Sequence, residues 1–135
     1  LGRSELLYAE GEICLMAVGS MVKTAAEVKA ALNAEGHKCS VINARFVKPI
    51  DLEAVTWAAE NHKLVVTMEE NVASGGYGEK VRDAMSSLKT ETKLLTVAIP
   101  DEYVEHGNVD LLKQELGISA ERITERIKKE IRNLE

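Results

Sequence analysis

Long apolar runs are missing from this chain, and so are clustered cations, paired cysteines and a hydrophobic leader. No stretch approaches the ~20 apolar residues that a membrane-spanning helix needs. The N-terminus lacks the charged and hydrophobic regions of a signal peptide. The two cysteines, Cys14 and Cys39, fall outside any Cys-x-x-Cys or Cys/His spacing suited to zinc. Each sits in a predicted strand and reads as a reduced, buried thiol, which fits a cytoplasmic protein. The net charge of -5 argues against nucleic-acid binding, because phosphate contacts require clustered positive surface. Neither an internal repeat nor a low-complexity tract is present.

What is there is an ordinary globular composition of 135 residues, enough to bury roughly two thirds of the unfolded surface without a disulfide or metal. A single domain over residues 1–135 is expected. Residue 1 is leucine rather than methionine, and Leu1-Gly2-Arg3-Ser4-Glu5 reads like a linker entered from upstream. The expectation is therefore a fragment of a longer protein.

Four short apolar runs read as strands covered on both faces: Ile13 to Val18, Cys39 to Asn43, Leu64 to Met68 and Leu94 to Ile99. Helical spacing lies between them, with Ala25, Val28 and Leu32 on one face and Val81, Met85 and Leu88 on another. Strands alternating with helices imply parallel crossovers and an α/β fold. Asp51 is placed to cap a helix, with Ile50 and Val55 as its staple and Trp57 on or near the buried face. Gly36 and Gly117 are expected to end helices, and Ser119 to open the last one. Ile118 and Ile123 form its staple, and Ile123, Ile127 and Ile131 give that helix an apolar stripe to dock on the sheet. Leu6-Leu7-Tyr8 is expected to pair with the first parallel strand through a turn at Glu10-Gly11, as an antiparallel edge.

Chemistry in such folds gathers beyond the carboxyl ends of the strands, so the segment Met68-Glu69-Glu70-Asn71-Val72-Ala73-Ser74-Gly75-Gly76-Tyr77-Gly78 stands out. Gly75, Gly76 and Gly78 at a helix start offer backbone N–H groups to an anion; a tight strand-to-helix turn is the structural alternative. A dinucleotide fingerprint would need glycine or alanine where Val81 stands, and Gly19-Ser20-Met21-Val22-Lys23-Thr24 lacks the glycine of a phosphate loop. Glu69 and Glu70 could act as acid and base, but successive residues of an extended chain point to opposite sides. Capping, salt bridging or orienting the next loop is the favoured role for them. Arg45 and Lys48, after the second parallel strand, are candidates for an anion or an interdomain charge pair. His37, His62 and His106 read as separate loop residues with no triad or metal spacing, and His106 lies in a polar loop that could contact another domain.

Together these segments resemble the C-terminal domain of the 1-deoxy-D-xylulose-5-phosphate synthase family, thiamine-diphosphate enzymes of the transketolase superfamily. The likeness runs in order through Gly11-Glu12, Ala44-Arg45-Phe46-Val47-Lys48-Pro49-Ile50-Asp51, His62, Val66-Thr67-Met68-Glu69-Glu70-Asn71, Gly75-Gly76-Tyr77-Gly78, Ile99-Pro100-Asp101-Glu102-Tyr103-Val104-Glu105-His106-Gly107 and Leu116-Gly117-Ile118. It implies a three-layer αβα fold with a mostly parallel five-stranded sheet and one antiparallel edge strand. It also implies a whole enzyme that joins pyruvate to D-glyceraldehyde 3-phosphate with loss of carbon dioxide, for isoprenoid, thiamine and pyridoxal precursors. In that family thiamine diphosphate and magnesium belong to two upstream domains. No Gly-Asp-Gly with a downstream Asn to hold magnesium diphosphate is present here, so the resemblance carries no catalytic, cofactor or metal residue onto this chain. What remains is an inactive third domain whose partners are the upstream domains of its own chain and, in the full enzyme, a second subunit. Its candidate anion or interdomain contacts are Arg45, Lys48, Glu69, Glu70, Asn71, Gly75, Gly76, Gly78 and His106. The alternatives are the partner-docking tail of a 2-oxo acid dehydrogenase β subunit, or another transketolase-like enzyme. A receiver domain would need aspartates where Gly19-Ser20 and Glu69-Glu70 stand.

Overall fold

A computed structural model describes residues 4–44, 50–72, 76–100 and 119–134. Nine elements follow in order among these residues: β1 (Glu5–Tyr8), β2 (Ile13–Ala17), α1 (Met21–Ala34), β3 (Cys39–Asn43), α2 (Leu52–Asn61), β4 (Leu64–Val72), α3 (Tyr77–Ser86), β5 (Lys93–Pro100) and α4 (Ala120–Leu134). The sheet order is β1-β3-β2-β4-β5, with β1 antiparallel to β3 and every other pair parallel. β2 lies at the centre, and all five of its residues are buried. That is why its sequence is a continuous apolar run rather than an alternating one.

Alternation of side chains sorts the core into two layers. Ile13, Leu15, Val41, Leu64, Val66 and Met68 face α1 and α4, meeting Val28, Leu32, Ile123 and Ile127. Cys14, Met16, Ile42 and Val65 face α2 and α3, meeting Val55, Ala58, Tyr77 and Val81. This is the expected three-layer αβα architecture, and the Ile123/Ile127 stripe docks as its spacing predicts. The two cysteines are free and buried, in β2 and β3. Burial pushes the Cys39 thiol up to about 11, so it is un-ionised and inert at neutral pH.

Helix ends follow local chemistry. Asp51 Oδ1 accepts from Ala54 N–H at 3.1 Å, and its Oδ2 accepts from Ser4 N–H at 2.7 Å, so one carboxylate both caps α2 and anchors the start of β1. α1 ends at Gly36, whose φ of 87° turns the chain, with His37 N–H donating to the Leu32 carbonyl and Gly36 N–H to that of Asn33. At the start of α4, Arg122 N–H donates to Ser119 Oγ at 3.4 Å. Gly117 and Ile118 lie outside the described residues.

Two expectations are corrected. β1 is an antiparallel edge, but its partner is β3 rather than β2, because parallel neighbours already occupy both sides of β2. Glu10-Gly11 is therefore a crossover past the start of β3, not a hairpin turn. Gly11 has φ 77°, and a Cβ there would lie 1.9 Å from the Lys38 carbonyl oxygen. Second, β4 continues four residues beyond Met68, pairing Glu69 with Ala98 and Val72 with Pro100 across an irregularity. Both carboxylates thus lie within the strand, not beyond it.

Candidate functional site

The carboxyl end of β4 and the first turn of α3 form the site that the sequence singles out. Thr67 and Glu69 share the α3-facing side of β4, and Glu70 points away from it, as the strand period requires. Glu69 is only 5 % exposed. Its Oε1 accepts from Tyr77 N–H at 2.7 Å, and its Oε2 accepts from Gly78 N–H at 2.5 Å. Gly76, the residue before the helix, has no side chain to cap it, so a strand residue supplies the acceptor that its own N-cap cannot. Two of the helix's orphan N–H groups, and the positive end of its dipole, are thereby satisfied by one internal carboxylate.

Burial raises the Glu69 carboxyl above its ordinary 4.5, and the bonds from Gly78 and Tyr77 pull it back in part. Gly78 is fixed by close approach: a Cβ would sit 3.0 Å from Glu69 Oε2, 3.1 Å from Thr67 Oγ1 and 3.1 Å from Thr96 Cγ2. Thr67 Oγ1 is buried and has no hydrogen-bond partner among the described residues. Tyr77 is fully packed beneath the turn, and burial pushes its phenol far up, so it stays un-ionised near neutrality.

The Tyr77 and Gly78 N–H groups are spent on Glu69, and an anion drawn to those two donors would have to displace a bidentate carboxylate. Among the described residues no group of three or more His, Cys, Asp or Glu side chains could hold a metal ion. Of the other sequence candidates, Glu70 is half-buried, and Asn71 is in β4. Arg45, Lys48, Gly75 and His106 lie outside the described residues.

Sequence reasoning missed a second polar cluster, at the amino ends of the strands. His62 is not a surface loop residue: it ends α2, is 7 % exposed, and packs edge-on to Trp57 with ring centroids 5.0 Å apart. Its Nδ1 lies 2.8 Å from the Ala58 carbonyl, which can only accept, so Nδ1 carries a proton. Its Nε2 is 2.7 Å from Ser40 Oγ. Ser40 Oγ in turn accepts from Glu10 N–H at 2.9 Å and lies 3.0 Å from the Glu10 carbonyl. Burial lowers the His62 pKa below 6.5, and the Ala58 bond opposes this in part.

Beside it, the buried Lys29 donates to the Cys39 carbonyl at 2.6 Å, pairs with Glu10, and sits 4.8 Å from the centre of the Tyr8 ring. The bond from Lys29 holds the Glu10 carboxyl below its ordinary value. The signal for both was present: Ser40 interrupts an apolar strand, and Lys29 interrupts the apolar face of α1. Buried polar residues of this kind need partners.

A family model described as transketolase, C-terminal domain, matches residues 2–123. The 1-deoxy-D-xylulose-5-phosphate synthase of Lachnoclostridium phytofermentans is 44% identical over 127 residues, covering 93% of this chain and 20% of that protein. That of Heliobacterium modesticaldum is 37% identical over 123 residues, covering 91% and 19%. The chain thus spans about a fifth of the length of the curated relatives it matches. Among solved structures, a split-gene transketolase described as an inactive β4 tetramer superposes with TM-score 0.84 at 28% identity, over 95% of this chain and 42% of that one. A transketolase from Pichia stipitis shares the fold with TM-score 0.56 at 14% identity, over 93% of this chain and 17% of that one.

Proposed function

The chain belongs to the transketolase C-terminal domain family, and on that premise we propose that it is the non-catalytic third domain of a 1-deoxy-D-xylulose-5-phosphate synthase. The observation that carries this reading is 44% identity to such a synthase over 93% of the chain. The whole enzyme would condense pyruvate with D-glyceraldehyde 3-phosphate and release carbon dioxide. Thiamine diphosphate and magnesium would be held by the remaining four-fifths of the protein, and the full enzyme would be a cytoplasmic homodimer. Among the described residues, no helix is long and apolar enough to cross a membrane.

The internal capping of α3 supports a structural role for this domain. Where an α/β domain would bind a phosphate, this one has placed Glu69. The domain's task would be to complete the subunit by contact with the other domains, with Glu70, Asn71, Arg45, Lys48 and His106 as candidate contacts. The test has two arms. The purified chain, given thiamine diphosphate, magnesium, pyruvate and glyceraldehyde 3-phosphate, should neither turn over nor bind the cofactor saturably by calorimetry. The longer protein should do both, and turnover by the chain alone would overturn the reading.

A further inference from the structure

Exposed large apolar side chains gather, among the described residues, on β1 and the nearby first turn of α2, with Leu6 turned to Trp57 on the α2 side of the sheet and Tyr8 to Lys29 on the α1 side. Among the described residues, those that stand in solvent are Leu6, Leu7, Tyr8 and Leu52, between 40% and 58% exposed, and all four lie on β1 or the first turn of α2. A groove floored by Ile42 and Ala54 runs between Leu6 and Trp57, and a second runs from Trp57 to Leu52. The single tryptophan of the chain is common to both, so the two grooves form one continuous surface. Glu53 lines both grooves and Glu60 the second, giving the surface an acidic rim. β1 is an edge strand, paired with β3 on one side and with no strand of the described residues on the other. A monomeric protein blunts such an edge with charge or proline, whereas here three of the four strand residues, Leu6, Leu7 and Tyr8, are exposed and apolar or aromatic, with only Glu5 charged.

We propose that β1, Leu52 and Trp57 form the surface on which the domain docks against the polypeptide that precedes it in its longer protein. This rests on the reading above that the chain is the third domain of a synthase. The occupant follows from length and placement. The relatives are about five times longer than the chain, and the matched family is their C-terminal domain. The remainder of such a protein reaches this domain through the residues before β1, the strand that carries three of the four exposed apolar side chains. A tryptophan in an apolar groove with an acidic rim fits a partner that inserts an aliphatic or aromatic side chain over Trp57 and sets lysine or arginine against Glu53 and Glu60. Asp51 reinforces the arrangement, because its carboxylate ties Ser4 to α2 and so holds the entry strand against the groove.

Hydrogen–deuterium exchange of the longer protein against the 135-residue chain tests this directly. Peptides spanning residues 4–8 and 52–57 should exchange roughly tenfold or more slowly in the longer protein. Unchanged exchange there, with slowing confined to other surfaces, would overturn the proposal. So would protection of β1 in the isolated chain that grows with its concentration, since the occupant would then be a second copy. Leu6→Lys and Leu52→Lys alter exposed side chains and should leave the melting temperature of the isolated chain unchanged while abolishing the protection in the longer protein. Turnover of pyruvate and glyceraldehyde 3-phosphate by the longer protein separates the two ideas. Turnover without protection removes the surface and keeps the synthase, and protection without turnover does the reverse.

Discussion

At the carboxyl ends of the strands, the first turn of α3 presents N–H groups and is met by a carboxylate. At the amino ends, the last turn of α2 presents carbonyls and is met by donors. Glu69 serves the first role. In the second, His62 Nδ1 donates to the Ala58 carbonyl, Asn61 Nδ2 to that of Trp57, and Thr92 Oγ1 lies 2.6 Å from the Ala59 carbonyl and 2.8 Å from that of His62. Both ends obey the same accounting of orphaned helix groups and the same dipole. They differ in concentration: one buried side chain carries the carboxyl end, and several share the amino end. Removing one residue should therefore be more damaging at the first than at the second.

The sharpest way to break this contrast is Glu69→Ala. It strands two buried N–H groups and should cost about 3 kcal/mol in urea unfolding, against about half of that for Glu69→Gln, which keeps one acceptor. A cost below that of Lys29→Met would invert the comparison. Lys29→Met leaves the Cys39 carbonyl without its lysine donor and releases the contact with Tyr8. About 2 kcal/mol is expected, with earlier proteolysis near β1 as the accompanying sign. Gly78→Ala probes the carboxyl end without removing an acceptor. Its methyl group meets three atoms at 3.0 to 3.1 Å, so the carboxylate must shift, at about 1–2 kcal/mol, and Thr67→Val should relieve none of the contact with Glu69.

The carboxyl end was the more legible of the two, for a physical reason. A helix start needs glycine where backbone approaches backbone or side chain, and Gly76-Tyr77-Gly78 announces that need in consecutive residues. The adjacent Glu69 and Glu70 announce charge, but which of them is buried is set by the parity of β4, and the apolar run gives no hint that the strand continues past Met68. Local signals of the same kind placed the cap at Asp51 and the turn at Gly36. The amino end gave no such string, because Glu10, Lys29, Ser40 and His62 come from four separate segments and meet only through the sheet order. Sequence alone also mispairs β1, since a glycine that closes a hairpin and a glycine forced by a crossing backbone look alike. Gly11 is conspicuous in either case, and only the Lys38 carbonyl beside it decides.

The smallest expected effect sharpens the comparison most, because the two ends should respond to pH with opposite sign. His62 is held below 6.5 by burial, so the unfolded chain takes up its proton first as pH falls. The stability this residue contributes is full above pH 6.5 and is lost as pH falls through the lower native value. Glu69 is held above 4.5, so the native state keeps its proton the longer, and its contribution is full below pH 4.5 and is lost as pH rises through the higher native value. Unfolding free energies measured from pH 4 to 8, on a scale set by the ordinary carboxyl and imidazole ranges of about 4 and 6.5, should therefore differ between variants in shape and not only in height. Relative to wild type, His62→Gln should remove the acid-side loss and Glu69→Gln the loss on raising pH. Equal slopes in both variants would mean that neither end owns its titration. Imidazole nitrogen shifts that report His62 as Nδ1-protonated and neutral at pH 7 would tie the first slope to the bonds that fix its two ring nitrogens, at the Ala58 carbonyl and Ser40 Oγ.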